Sequence, residues 1–284
     1  MSYAAFMKNE LRDTLCIICF TLLLINFNAF SQGIHFSGSR ANSLANASVC
    51  LDDVYAFHNN PANLVSIKDV SIGISYENRF LLKELQNQSI AIAIPIELGV
   101  LSIGGNTFGY RNYRTIKAGV GYAMPLTDEL SMGVQMNYLM VRLPEAYGIG
   151  QTLTGEFGFG YQINSNWGFG LSIYNLGRNK LSEMPEDRYS TTMRFGTKYH
   201  VSAKTLLLAE LEKDVEHPLR SKVGIEYLPL TSLAFRAGFA TSPIEMSFGI
   251  GWIISDRYNL DFGTQFHQIL GWSPNFSFKY VITK

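Results

Sequence analysis

From Val70 to the C-terminus, apolar residues recur at every second position. Val70, Ile72, Ile74 and Tyr76 alternate with Ser71, Gly73 and Ser75, and Ile90, Ile92, Ile94 and Ile96 alternate with Ala91, Ala93 and Pro95. The longest row, Leu130, Met132, Val134, Met136, Tyr138 and Met140, faces Ser131, Gly133, Gln135 and Asn137. The same pattern continues through Phe157–Ile163, Trp167–Ile173, Leu207–Leu211, Val223–Tyr227, Met246–Ile254 and Phe276–Ile282. A period of two marks strands with two unlike faces. Roughly 14 such segments can be drawn, each near the 9–11 residues that a tilted membrane strand needs.

The nature of the two faces separates a membrane barrel from a soluble sandwich. In a sandwich the apolar face is the inner one. Here the other face is mostly Gly, Ser, Thr and Gln with scattered charges, which suits a crowded or hydrated lumen. The apolar rows often end in Tyr, Trp or Phe, as an interfacial girdle would. Lipid forbids an open sheet edge, so the strands must close on themselves. The prediction is all-β, a 14-stranded antiparallel transmembrane β-barrel with its body over 69–284. Connections alternate between short ones, such as Glu97–Gly99 and Asn164–Asn166, and longer ones, such as Glu77–Gln88 and Asn175–Arg188. Periplasmic turns and extracellular loops alternate in this way, and an even strand number puts both termini on the periplasmic side. The tight link at Tyr110–Asn112 is the exception.

The first residues are set apart. Lys8 and Arg12 precede an apolar run from Leu15 to Ile25, followed by small residues at Ala29 and Ser31. The run is shorter than the ~20 residues of a membrane helix and fits a secretory signal, so 1–31 is read as a signal peptide, cleaved near Ser31–Gln32. Cys16 and Cys19 lie in that segment and Cys50 is left, so no disulfide framework is expected.

Between signal and barrel, 32–68 is not a strand. It holds Gly38-Ser-Arg40-Ala-Asn-Ser-Leu-Ala-Asn-Ala-Ser-Val49, then Asp52-Asp53, then Asn60-Pro61-Ala62-Asn63-Leu64. Ser39 or Ser43 can cap a short helix containing Ala41, Leu44 and Ala45, and Pro61 would end a second turn. The spacing of these motifs resembles the N-terminal signature of the FadL-like outer-membrane barrels, in particular the PorV/PorQ group associated with type IX secretion. The resemblance implies a 14-strand barrel whose N-terminal segment forms a short helical plug, with Gly38, Arg40, Asp52, Asp53, Asn60, Pro61, Ala62 and Leu64 as its motif residues. Asn63 stands where much of the family has Gly; Asn tolerates a left-handed backbone, so the turn can survive.

Composition adds exclusions. Lys plus Arg equals Asp plus Glu at 23 each, which argues against a nucleic-acid partner. Only 16% of residues are charged, and 13% are aromatic. The five His show no metal-ligand spacing, and no G-x-S-x-G occurs. Gly158-Phe-Gly160 and Gly249-Ile-Gly251 fall on inward strand faces rather than before a helix, so they are not phosphate loops. No catalytic residue, metal or cofactor is expected. Lumen charges are expected at Lys117, Glu156, Arg194, Lys198, Glu210, Glu212, Lys222, Glu226, Arg236, Asp261 and Lys279. Their mixed signs suit a cross-strand ion network that stiffens the wall and docks the plug better than an ion-selective pore.

The expected function is non-enzymatic. One reading, implied by the PorV/PorQ resemblance, is an accessory or shuttle barrel whose partners are exported or secretion-machinery proteins. The alternative, implied by the FadL resemblance, is a transporter of hydrophobic small molecules. Both readings place the chain in outer-membrane lipid.

Overall fold

The computed structural model describes residues 37–143, 148–177, 190–215 and 217–283. The signal peptide expected over 1–31 lies outside the described residues. Fourteen strands follow one another: β1 (Val70–Asn78), β2 (Gln86–Ile96), β3 (Gly99–Gly109), β4 (Arg114–Pro125), β5 (Leu130–Arg142), β6 (Ile149–Gln162) and β7 (Trp167–Tyr174). Then come β8 (Thr192–Ser202), β9 (Thr205–Asp214), β10 (Arg220–Leu230), β11 (Leu233–Ala240), β12 (Glu245–Ser255), β13 (Tyr258–His267) and β14 (Gly271–Ile282). Each pairs antiparallel with its sequence neighbours, and β1 pairs with β14, so the sheet closes into a barrel.

Closure uses every strand edge, so the backbone is satisfied without water. Register is regular, with shifts only beside three short turns, at His200/Ser202, Tyr227/Leu230 and Ile253/Ser255. These turns lie at the end where β1 begins and β14 finishes, here called the terminus end. The other is the loop end.

The two faces sort as the period of two requires. Ile74, Ile90, Ile103, Val120, Met136, Phe195, Phe248 and Phe262 all stand exposed on the outside. A soluble protein rarely exposes an apolar patch beyond a few hundred Å², whereas lipid accepts a continuous belt. On the inner face Ser71, Ser102, Asn137, Ser172, Arg194, Lys222 and Ser277 are buried.

What buries them is the N-terminal segment. Two helices, α1 (Ser39–Ser43) and α2 (Ala56–Asn59), have five and four residues, and a 3-10 turn spans Pro61–Ser66. The segment is therefore mostly turns, not the helical element anticipated from sequence. Several local expectations are corrected. Gly38, not a serine, stands at the start of α1, and Ser43 Oγ turns back to Ser39 O at 2.6 Å. Pro61 opens the 3-10 turn instead of ending one, where its missing N–H costs nothing, and Asn60 caps it by accepting from Ala62 N. The left-handed positions are Ala45 and Asn46, not Asn63.

Candidate functional site

The inner wall and residues 37–66 form one surface. Its seat is built from glycines that face each other across neighbouring strands. Gly133 and Gly158 are register partners, and a Cβ on either would strike Asn60, Pro61 or Ala62. Gly170 and Gly196 pair behind Val49. Gly224 and Gly238 pair behind Leu44 and Ala45, and Gly249 and Gly263 behind Ser43. The glycines thus let backbone approach backbone where any side chain would hold it off. Gly38, at φ 97°, packs against the Tyr55 ring, so only glycine fits there on both counts.

Polar contacts tie the segment to strands around the whole circumference. Tyr55 Oη donates to Ile74 O at 2.8 Å and lies 2.9 Å from Phe278 O. Asn60 Nδ2 reaches Phe159 O at 3.2 Å and Val49 O at 2.8 Å. Gln265 Nε2 donates to Asn42 O, and Arg194 donates to Asn59 O and Ser172 Oγ. Leu64 is buried with Phe57, Ala91, Ala93, Val100 and Ala123. Asn63 donates to Val49 O at 2.9 Å and Leu51 O at 3.0 Å, which is what its amide does in place of adopting a left-handed turn.

The charges fall into three groups. In the first, Arg40 grips Glu226 with two bonds of 2.7 and 2.9 Å, and Glu226 also takes Arg236, which reaches Asp261 at 2.6 Å. Arg40 lies 3.4 Å from Asp53 and 3.7 Å from Asp52, and Lys198 lies 3.2 Å from Asp52. Burial opposes ionisation of both aspartates. Lys198 and Arg40 outweigh it at Asp52, whose carboxyl sits below the usual range. At Asp53 burial wins over Arg40 and Lys279, and the carboxyl is pushed up. Lys279 is opposite Gly73 and Asn259 in register.

In the second group Lys222 contacts Glu210 at 2.9 Å and Glu212 at 2.7 Å, and donates to Asn46 O. Glu210 also accepts the backbone N–H groups of Ser48 and Val49 at 2.7 and 2.8 Å. In the third, Lys117, Glu156 and Arg194 are buried together, with Lys117 Nζ 5.3 Å from the centre of the Tyr174 ring. Of the charges expected in the lumen, Lys117, Glu156, Arg194, Glu210, Lys222, Glu226, Arg236 and Asp261 are buried, while Lys198, Glu212 and Lys279 are half-buried, and no cluster of three metal-binding side chains occurs among the described residues.

Two features were not anticipated. At the loop end Leu139, Val141 and Tyr174 form a buried apolar patch with Tyr113 and Leu143 beside it. On β9, Leu206 and Leu208 point inward to Leu44 and Val49. The signal was present: Leu139 and Val141 are apolar between apolar Tyr138, Met140 and the strand end, and Leu206-Leu207-Leu208 is apolar on both faces. At the terminus end a recess of about 240 Å³ lies beside Asp52, Asn63, Ser66, Ser131 and Lys198.

The closed antiparallel barrel has solved counterparts. The fold is shared with structures solved as channels and transporters. The structure of the CymD monoaromatic hydrocarbon channel matches at a TM-score of 0.66 with 11% identity, covering 90% of this chain and 100% of that one. The Pseudomonas putida toluene transporter TodX matches at 0.67 and 10%, covering 89% and 100%. A Pseudomonas aeruginosa FadL homologue matches at 0.60 and 10%, covering 87% and 98%. No family model of sequences matches, and no curated protein does. The likeness is one of architecture, since about nine residues in ten differ. It agrees with the FadL side of the sequence resemblance, and none of these structures carries the PorV/PorQ side.

Proposed function

We propose that the chain is a non-enzymatic outer-membrane barrel that passes hydrophobic small molecules, with residues 37–66 as its plug. The observation that carries this reading is the apolar patch of Leu139, Val141 and Tyr174 on the inner wall at the loop end. The other apolar residues of the inner wall, such as Ala91, Val100, Leu206 and Leu208, pack against the N-terminal segment, whereas the cluster at this mouth contains no residue of that segment. This cluster offers an entering apolar molecule a first resting place. The fold likeness to toluene and monoaromatic hydrocarbon channels supports the same reading. In this orientation the loop end faces outside, both termini face the periplasm, and the recess beside Asp52 and Lys198 is the exit side.

The accessory role in secretion is the second reading, favoured by the signature match over Gly38–Leu64. Against it, Asn60, Pro61, Ala62 and Leu64 are buried against the wall, so the motif is engaged in seating the segment rather than displayed to a partner.

Uptake of a labelled hydrophobic compound by cells with and without the protein tests the proposal. We expect uptake that depends on the protein and drops on Val141→Asp while the barrel still assembles. Uptake equal in both strains, with co-purification of exported proteins, would favour the second reading.

A further inference from the structure

The outer face of the loop end carries an arrangement that the transport reading does not use. Arg114 on β4 and Arg142 on β5 are direct register partners. Both are exposed. Arg114 belongs to the outward row Ile116, Ala118, Val120, and Arg142 to the outward row Met140, Tyr138, Met136, so both side chains leave the barrel on its outside. Directly opposed residues on one face have Cβ atoms only ~5 Å apart, and like charges there repel. A third arginine, Arg111, is exposed in the turn just before β4, which Tyr110 N and Tyr113 O close at 2.7 Å.

Among the described residues the other loop-end arginines have carboxylates: Arg79 pairs with Glu77 and Arg220 with Glu245. Arg111, Arg114 and Arg142 have no ion pair or hydrogen bond of their side chains among the described residues. One rung below them stand Ile116 and Met140, and further down Val120 and Met136, more than half exposed. The pair therefore stands about 7 Å above an apolar surface. Two rungs below Arg142 on the same strand, Tyr138 Oη donates to Gln151 Oε1 of β6 at 2.7 Å, which leaves the Gln151 amide nitrogen as a further donor.

We propose that Arg114 and Arg142, with Arg111 and Gln151 at the edge, bind the phosphate of an anionic glycolipid in the surrounding leaflet. Guanidinium forks match phosphate oxygens in a bidentate manner. One phosphate between the two side chains converts their repulsion into a clamp, and its acyl chains lie along Val120 and Met136. A free phosphate would gain nothing from that apolar surface, which is why the ligand is a lipid. The assignment rests on the outward-facing loop end of the transport reading only for which leaflet supplies the lipid; the clamp itself does not depend on transport.

The test uses the full mature chain in a zwitterionic detergent, titrated with lipid A, phosphatidylglycerol or phosphatidylcholine and read by native mass spectrometry. The expected result is retention of lipid A in preference to both others, weakened by salt. Arg114→Gln with Arg142→Gln should lower apparent affinity by roughly tenfold or more, since charge-assisted bonds are lost. Arg257→Gln, in a terminus-end turn, should leave it unchanged. Without lipid the double variant should unfold no more readily than the parent, because it removes a repulsion. Equal lipid A retention by parent and double variant, or no preference for lipid A over phosphatidylglycerol, would overturn the proposal. Loss of uptake function with lipid A retention intact would overturn the transport reading and leave the clamp standing.

Discussion

Lys222 Nζ lies 2.9 Å from Glu210 Oε1, and neither side chain reaches solvent. Glu210 in turn holds two backbone amides of the N-terminal segment. The pair is thus both a strut between β9 and β10 and a hook for residues 48 and 49. Removing Lys222 leaves the buried Glu210 carboxylate without its cation, which typically costs about 3–5 kcal/mol. Lys222→Met should destabilise the barrel by that order, read as unfolding in lipid vesicles. Glu210→Gln leaves Lys222 paired with Glu212, so it should cost less, but it should loosen Ser48–Val49, read as faster backbone hydrogen exchange there. Unchanged exchange in Glu210→Gln would deny the hook.

The cross-strand glycine pairs make a sharper test of the seat. Gly158→Val should lift Asn60–Ala62 from the wall, because any Cβ at Gly158 meets Asn60 and Pro61. Gly155, three residues away on the same strand, has nothing within 4 Å of an added Cβ. Gly155→Val should therefore be silent. Limited proteolysis of 37–66 in folded protein would separate the two: susceptibility should rise in the first variant alone.

Much of this was legible in the sequence, and the reason is geometric. A two-residue period on a closed sheet fixes inside and outside at once, so Lys117, Arg194 and Lys222 could be placed inward from their neighbours alone. The fourteen strands followed from the same alternation. The seat of the segment was not legible. That Gly133 faces Gly158, and that both lie under Pro61, depends on strand register and on a long-range approach that no local pattern encodes. The helix caps failed because the wall, not local propensity, dictates the backbone of 37–66: the Ser39 hydroxyl donates to Asn275 Oδ1 and its backbone N–H donates to Ser277 Oγ. The Leu139–Val141–Tyr174 patch was hidden because its residues look like strand apolar residues of either face.

The lipid face offers a third prediction. Ile250 is central on β12, exposed between Phe235 and Phe262. Ile250→Arg should cost about 2–4 kcal/mol near the midplane. Phe159, closer to the terminus end of β6, should respond less when changed to Arg. Equilibrium unfolding in vesicles measures both. Their inward neighbours Gly160 and Gly249 should respond through packing, not through lipid.

His58 gives the acid behaviour of the segment. It is buried, its Nε2 lies 3.2 Å from Ile90 O, and burial together with nearby Lys117 holds its pKa down to about 3. In the unfolded chain the imidazole titrates near pH 6.5. Between those values the unfolded state binds a proton that the folded state refuses, so stability falls as pH drops from ~6.5 towards ~3. Asp52, whose carboxyl is held low, adds a loss in the same direction at the acid end, as pH falls through the ordinary carboxylate range. Asp53 works the other way: its raised carboxyl takes up a proton in the folded state first, so it gains stability as pH falls and offsets part of the slope. The contribution of His58 is isolated by His58→Gln, which keeps a donor for Ile90 O and has no proton to gain. Unfolding midpoints of parent and variant should converge at low pH relative to their separation at neutral pH, with the variant's slope flatter between ~pH 6.5 and ~3. Parallel slopes would mean that His58 is charged in the folded barrel, and with it that Lys117 and the segment do not meet as described.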